Sequence, residues 1–161
     1  VEGRVSAMLD IYSGTDEECT GYENIIARLL MNGLTRREVL AQVDDIATFS
    51  GLGDYLHLPL RTYSTGMKMR LAFAVATSTV ADIILIDEIF AAGDSSFMLA
   101  SMQRMSSLIA QAHIVVMATH LQDIIKDFCN KALWLEAGQI KFFGDLANGL
   151  ELYNASISHG S

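Results

Sequence analysis

Ile83-Ile84-Leu85-Ile86 is an unbroken apolar run that ends on a carboxylate pair, Asp87-Glu88. A strand this uniformly apolar needs cover on both faces, as the inner strands of parallel sheets have and half-solvated antiparallel strands do not. The run therefore predicts an inner, parallel strand. Its surroundings agree. Met67, Leu71, Ala74, Val75 and Ser78 fall on one face of a helix upstream, and a second helix is expected over 96–111. His113 to Ala118 then repeats the buried-strand pattern, and 121–128 reads as a helix with Ile124 and Ile125 inward. Helix alternating with strand is the mark of an α/β fold.

Before this alternation the chain is different in kind. Arg4 to Leu9 reads as a short strand, and Ser13 to Gly21 is a polar, turn-rich loop. Glu23 to Met31 then places Ile25, Ile26, Leu29 and Leu30 at helical spacing. Thr35 followed by Glu38 is a capping-box pattern, opening a helix that runs to about Phe49, and Pro59 closes the region. At the other end, Ala132 to Glu136 and Gln139 to Phe143 flank Ala137-Gly138 as a hairpin, followed by a short helix near 145–153. The expected division is a helical subdomain over about 21–80 and the rest of an α/β core over 81–161. With 161 residues, 51% of them hydrophobic, the chain can bury one substantial core.

The formal net charge of -8, with scattered Lys and Arg, argues against a nucleic-acid partner, which would need clustered cations. Cys19 and Cys129 lie far apart without a Cys or His at metal-ligand spacing, so neither zinc nor a disulfide framework is suggested, and a reducing cytoplasmic setting fits best. The most apolar stretch, Leu71 to Ile86, is broken by Thr77, Ser78, Thr79 and Asp82, so no direct membrane insertion is expected. The chain opens at Val1 with neither a Met nor a charged-then-apolar leader; we expect no signal peptide and a start that lies further upstream. Asn154-Ala155-Ser156 matches a glycosylation acceptor, without meaning in a cytoplasmic protein.

Three constellations carry chemistry. In Tyr63-Ser64-Thr65-Gly66-Met67 a hydroxyl, a glycine and a helix start coincide. The amides of an opening turn have no intrahelical partner and the macrodipole is positive there, so a phosphate can be held without a basic side chain. The rival reading is an ordinary N-cap serine. Asp87-Glu88 lies where ligands of parallel sheets sit, beyond the carboxyl end of a strand. Asp87 could hold Mg2+ and Glu88 could orient or deprotonate an attacking water; the rival is a pair of solvated acids. Thr119-His120 occupies the equivalent place after the next strand, and His120 could contact a γ-phosphate, or be structural. His57, His113 and His159 have no such setting.

Order and spacing make these weak signals specific. Gly66 precedes Asp87 by 21 residues, and Glu88 precedes His120 by 32. The string from Tyr63 to Ala76, then Ile83 to Glu88, Ala91-Ala92-Gly93-Asp94 and Thr119-His120, resembles the nucleotide-binding domain of ABC transporters over nearly the whole chain. The forms Tyr-Ser-Thr-Gly-Met and Ala-Ala-Gly-Asp, with the closing Leu133 to Ile140, look most like the branch that exports cell-surface polysaccharides, including O-antigen, capsule and teichoic acid. The resemblance implies a partial P-loop NTPase-type parallel core. It places Ser64, Thr65, Gly66 and Met67 in the signature that binds nucleotide, with Asp94 ending the D-loop. It makes Asp87 the Walker B aspartate on the metal, Glu88 the catalytic glutamate and His120 the switch histidine. It implies ATP and Mg2+ as cofactors. The implied partners are a second copy of the subunit, as a homodimer, and an integral-membrane permease. The implied location is peripheral on the inner face of the cell membrane.

The departures bear on activity. No Gly-x-x-x-x-Gly-Lys-Ser/Thr occurs in these 161 residues, so the chain alone is expected to be inactive. Asp10 stands near the family's Q-loop glutamine, and Met67 stands where many members have Gln. The rival to an ATPase subunit is a non-catalytic docking fragment that has lost nucleotide binding. An ATPase of DNA repair or chromosome maintenance fits less well, because no long coiled coil or zinc insertion separates the motifs.

Overall fold

The computed structural model describes residues 3–8, 12–87 and 95–158. Glu88, Ala91 to Asp94, Asp10 and His159 lie outside the described residues. The chain divides into two compact units, Val1–Val116 and Met117–Ser161.

The first unit opens with β1 (Val5–Met8), then α1 (Gly21–Met31) and α2 (Arg36–Ser50). Both helices start on full capping boxes. Thr35 Oγ1 accepts the Glu38 N–H while Glu38 takes the Thr35 N–H at 2.7 Å, and Thr20 and Glu23 do the same for α1. The sequence reading began α1 at Glu23; Thr20-x-x-Glu23 shows that the true start is Gly21. α2 ends where Gly51 takes φ +64°, a left-handed cap that a side chain would strain. Two 3-10 turns, Gly53–His57 and Leu60–Thr62, lead into α3 (Thr65–Ala76).

α1, α2 and α3 enclose one core. Ile25, Leu29 and Ile46 are 0% exposed, with Leu56, Leu60, Leu71, Ala74 and Val75 around them. At about 1.5–3 kcal/mol for each fully buried aliphatic side chain, this cluster holds the helices together. The expectation that α3 presents one apolar face is corrected. Leu71 to Val75 are buried consecutively, so the helix is covered on nearly every side, and it stops at Ala76 before Ser78. Phe49, Phe73 and Phe97 form an aromatic cluster with centroid separations of 5.5–6.2 Å. Arg104 closes it, with its guanidinium 4.3 Å from the Phe49 centroid and bonded to Asp45 at 2.6 Å.

β2 (Ile83–Asp87) pairs parallel with β1, Val5 opposite Ile83 and Met8 opposite Ile86, in a sheet of order β1-β2-β3. Asp82 pins the strand starts: its carboxylate accepts the Arg4 N–H at 2.8 Å and its carbonyl accepts the His113 N–H at 2.8 Å. The expected full burial of β2 holds only on alternate residues, Ile84 and Ile86 being buried and Ile83 and Leu85 half-buried. α4 (Ser95–Gln111) contributes Phe97, Met105 and Leu108 to the interior. β3 (Ile114–Ala118) departs further from expectation. Ile114 and Val116 are more than half exposed, because one face of the strand has no cover among the described residues.

The second unit contains α5 (Gln122–Phe128), β4 (Lys131–Glu136), β5 (Gln139–Asp145) and α6 (Leu146–Ser158). Ile124 and Ile125 of α5 are only half-buried, short of the inward position expected. β4 and β5 form the expected hairpin, joined by Ala137 and Gly138 at φ +48° and +76°, the mirror-image turn that matches strand twist. α6 lies on one face of the hairpin, with Trp134 edge-on to Tyr153 at 5.8 Å. It runs past Tyr153, where the sequence reading ended it.

Among the described residues no helix is long and apolar enough to cross a membrane.

Candidate functional site

The opening turn of α3 is the best-defined part of the predicted site. Ser64 is extended, φ -66° and ψ 162°, and its Oγ accepts the Met67 N–H at 3.2 Å. Its carbonyl accepts the Lys68 N–H at 3.0 Å, the first bond of the helix proper. With one Oγ lone pair engaged on Met67, the hydroxyl still has a proton to donate. Among the described residues the Thr65 and Gly66 N–H groups have no acceptor, as the first amides of a helix must lack one within it. Ser64, Thr65 and Gly66 are all exposed, so the donors face solvent at the positive end of the helix. Met67 has a different place. Its N–H is spent on Ser64 and its side chain lies against the helical core.

This end is fixed from behind. Tyr63 is buried, and its hydroxyl donates to the Tyr55 carbonyl at 2.6 Å; burial raises its pKa. Gly21 makes room for that ring, since a Cβ there would collide with the Tyr63 hydroxyl and sit 3.1 Å from Leu56 Cα. Gly66 is the opposite case. A Cβ on it would meet only Ser64 Oγ, at the ordinary distance of 3.9 Å, and its backbone is helical. Neither crowding nor a left-handed φ calls for glycine at 66.

Asp87 is the last residue of β2 and is exposed, directly after the buried Ile86. Glu88 and Asp94 lie outside the described residues. In the second unit, Thr119 and His120 follow β3; Thr119 Oγ1 accepts the Leu121 N–H at 3.2 Å and His120 is exposed. Ser64, Thr65, Gly66 and Met67 are thus brought together on one turn, and Asp87 and His120 each follow the apolar body of a strand. Cys19 and Cys129 are free thiols, and among the described residues no cluster of His, Cys, Asp and Glu resembles a metal cage.

No protein-family model matches the chain. It is 40% identical over 158 residues, 98% of its length, to the O-antigen export system ATP-binding protein of Myxococcus xanthus, and 45% identical over 139 residues to that of Yersinia enterocolitica. It is also 35% identical over 149 residues to the teichoic acids export ATP-binding protein of Bacillus anthracis. The solved structure of an ATP-binding subunit of an ABC transporter superposes on 94% of the chain with a TM-score of 0.75 at 21% identity. Over the shared stretch the chain is similar to the ATP-binding proteins of O-antigen and teichoic acid export systems, and its fold is that of an ABC-transporter ATP-binding subunit. An ATP-binding cassette solved as a dimer bound to ADP and Pi shares the fold, with a TM-score of 0.67 over 89% of the chain at 20% identity. The chain spans only part of its relatives: 36% of the Myxococcus protein, 58% of the Yersinia protein and 27% of the Bacillus protein.

The opening turn of α3 has a geometry that could hold a phosphate. Two unpaired amides and a hydroxyl converge where the glycine leaves the backbone uncovered, the arrangement that anions meet at helix N-termini. Asp87, exposed at the end of β2, could serve a Mg2+ that keeps most of its water, an ion needing only one or two carboxylates besides the phosphates. The sequence reading missed Gly21, which leaves room for the Tyr63 hydroxyl behind α3.

Proposed function

We propose that the protein containing this chain is a Mg-dependent ATPase of ABC type. It powers export of a cell-surface polysaccharide or related glycan, acting as a homodimer with an integral-membrane permease on the inner face of the membrane. The export systems for which the relatives are named, those of O-antigen and teichoic acid, support the glycan class. The observation that carries the reading is Gly66. A glycine in the first turn of a helix, with open space where its Cβ would be, sacrifices helix stability for an uncovered backbone. That trade suits close approach by a phosphate.

In this reading the Ser64 hydroxyl and the amides of Thr65 and Gly66 bind the γ-phosphate of a nucleotide held mainly by the second subunit, and Asp94 lies at that junction. Asp87 would hold the metal, which when bound would supply positive charge against the negative charge of the phosphates. Glu88 orients the attacking water, and His120 hydrogen-bonds near the γ-phosphate. Charge stabilisation and positioning are what phosphoryl transfer to water requires.

The test is Gly66→Ala in the full-length protein. The added methyl meets no crowding, so thermal stability should hold or rise by about 0.5–1 kcal/mol, the usual helical gain of Ala over Gly. ATP turnover should fall at least about tenfold, the loss of one well-placed donor geometry. Turnover at the wild-type rate would remove Gly66 from the site, and a Glu88→Gln protein that still hydrolysed ATP normally would remove Glu88.

A further inference from the structure

Three polar residues are buried among those described: Asn24, Ser50 and Thr77. Ser50 and Thr77 bond back onto their own helices, through the Ala47 and Phe73 carbonyls. Asn24 also bonds back, to the Thr20 N-cap of α1, but reaches beyond its helix as well. It is 2% exposed, donates from Nδ2 to the carbonyls of Asp16 at 2.9 Å, Cys19 at 3.2 Å and Thr20 at 2.9 Å, and accepts the Asp16 N–H on Oδ1 at 2.8 Å. One side chain thus fixes the whole turn 16–20, with both amide protons engaged and one bond accepted on Oδ1.

The other side of this turn grips the approach to α3. The Leu60 N–H donates to the Cys19 carbonyl and the Arg61 N–H to the Glu17 carbonyl, both at 3.0 Å, and Arg61 pairs with Glu18 at 3.1 Å. The Glu17 carboxylate then takes the ammonium of Lys68, four residues after Ser64 and in the first turn of α3. A cation there opposes the helix dipole, and a bonded carboxylate offsets that conflict and fixes where the ammonium lies. Packing alone does not seat this seam. A cavity of about 170 Å³ opens between the turn and α3, lined by Glu17, Asn24, Lys68, Leu71 and Ala72 among others.

We infer that the Asn24-braced turn 16–20 is a clasp that sets the opening turn of α3, so that Asn24 and Glu17 are positioning residues for phosphate binding there. The inference rests on the ATPase reading above.

Asn24→Ala is the obvious variant but removes a buried hydrogen-bonding centre, so the surface pair decides. In the full-length protein, Glu17→Gln and Lys68→Met should each speed amide hydrogen exchange over residues 64–68 and raise KM for ATP. Both effects should be about two- to fivefold, the scale of a partly exposed ion pair, with kcat nearly unchanged. The double variant should be no worse than either single, and the swap Glu17→Lys with Lys68→Glu should restore both readouts. Unaltered exchange overturns the clasp. Faster exchange with unchanged KM overturns its role in positioning. A lowered KM in Glu17→Gln beside a raised one in Lys68→Met overturns it too, because Lys68 would then bind phosphate directly, restrained by Glu17. A wild-type protein without ATPase activity sinks the ATPase reading, and with it the positioning role, while exchange still judges the clasp itself.

Discussion

The α1–α3 region and the β4–β5 hairpin are both rich in large apolar residues and dispose of them in opposite ways. Ile25, Leu29 and Ile46 are sealed at 0% exposure, whereas Leu133, Leu135, Ile140 and Phe143 are 53–67% exposed. The reason lies in how many neighbours each architecture supplies. Three helices and two 3-10 turns surround a point. A two-stranded sheet with one helix has a covered face, here Ala132, Trp134 and Phe142, and a face that nothing else among the described residues covers. Apolar composition therefore predicts the need for burial, and topology decides whether a region meets that need by itself.

The contrast can be broken at its strong end first. Ile46→Ala should cost about 2–5 kcal/mol by chemical denaturation, the range for removing a sealed aliphatic side chain and leaving a cavity. A loss well under 1 kcal/mol would mean that the helical core is not what holds the region. Next comes the start of α2. Thr35→Ala should cost about 1 kcal/mol, as the loss of an N-cap does. The Thr35 hydroxyl, and then its backbone N–H, hold the Glu38 carboxyl below the usual carboxylate range. Because the folded value is the lower one, this stabilisation is complete above the ordinary range and is lost as pH falls through the folded value. The variant should flatten the acid limb of a stability-versus-pH curve, and an unchanged limb would exclude the box as its source. The smallest effect is expected on the hairpin's open face, where Phe143→Ser should change stability by no more than about 0.5 kcal/mol. A cost like that of Ile46→Ala would sharpen the contrast differently, by showing that another part of the full-length protein covers this face.

Much of this was legible in the sequence because the signals were local. Thr35 and Glu38 are three residues apart, and Ala137-Gly138 between two apolar alternations fixes a hairpin by itself. The identical spacing at Thr20 and Glu23 was equally readable and would have placed the start of α1. Ser64 and Gly66 were found as a helix start for the same reason. What stayed hidden depends on distant partners. Lys68 and Glu17 are 51 residues apart, and Asn24 looks like any other polar residue until its three carbonyl partners are known. Burial on two faces was the other weak point. The apolar run of β3 predicted cover that the described residues do not provide, since a sequence shows what a strand's faces prefer and not what lies opposite them.

α3 is enclosed from Leu71 to Val75 while its first turn stands in solvent. A rod clamped along most of its length cannot be nudged at the tip without dragging its mounting. Any ligand that pulls on Ser64 or Gly66 therefore pulls on α1 and α2 through Ile25, Leu29 and Ile46, whose close packing resists internal sliding. The three helices would respond together, as a lever arm, to a displacement at the exposed end of α3.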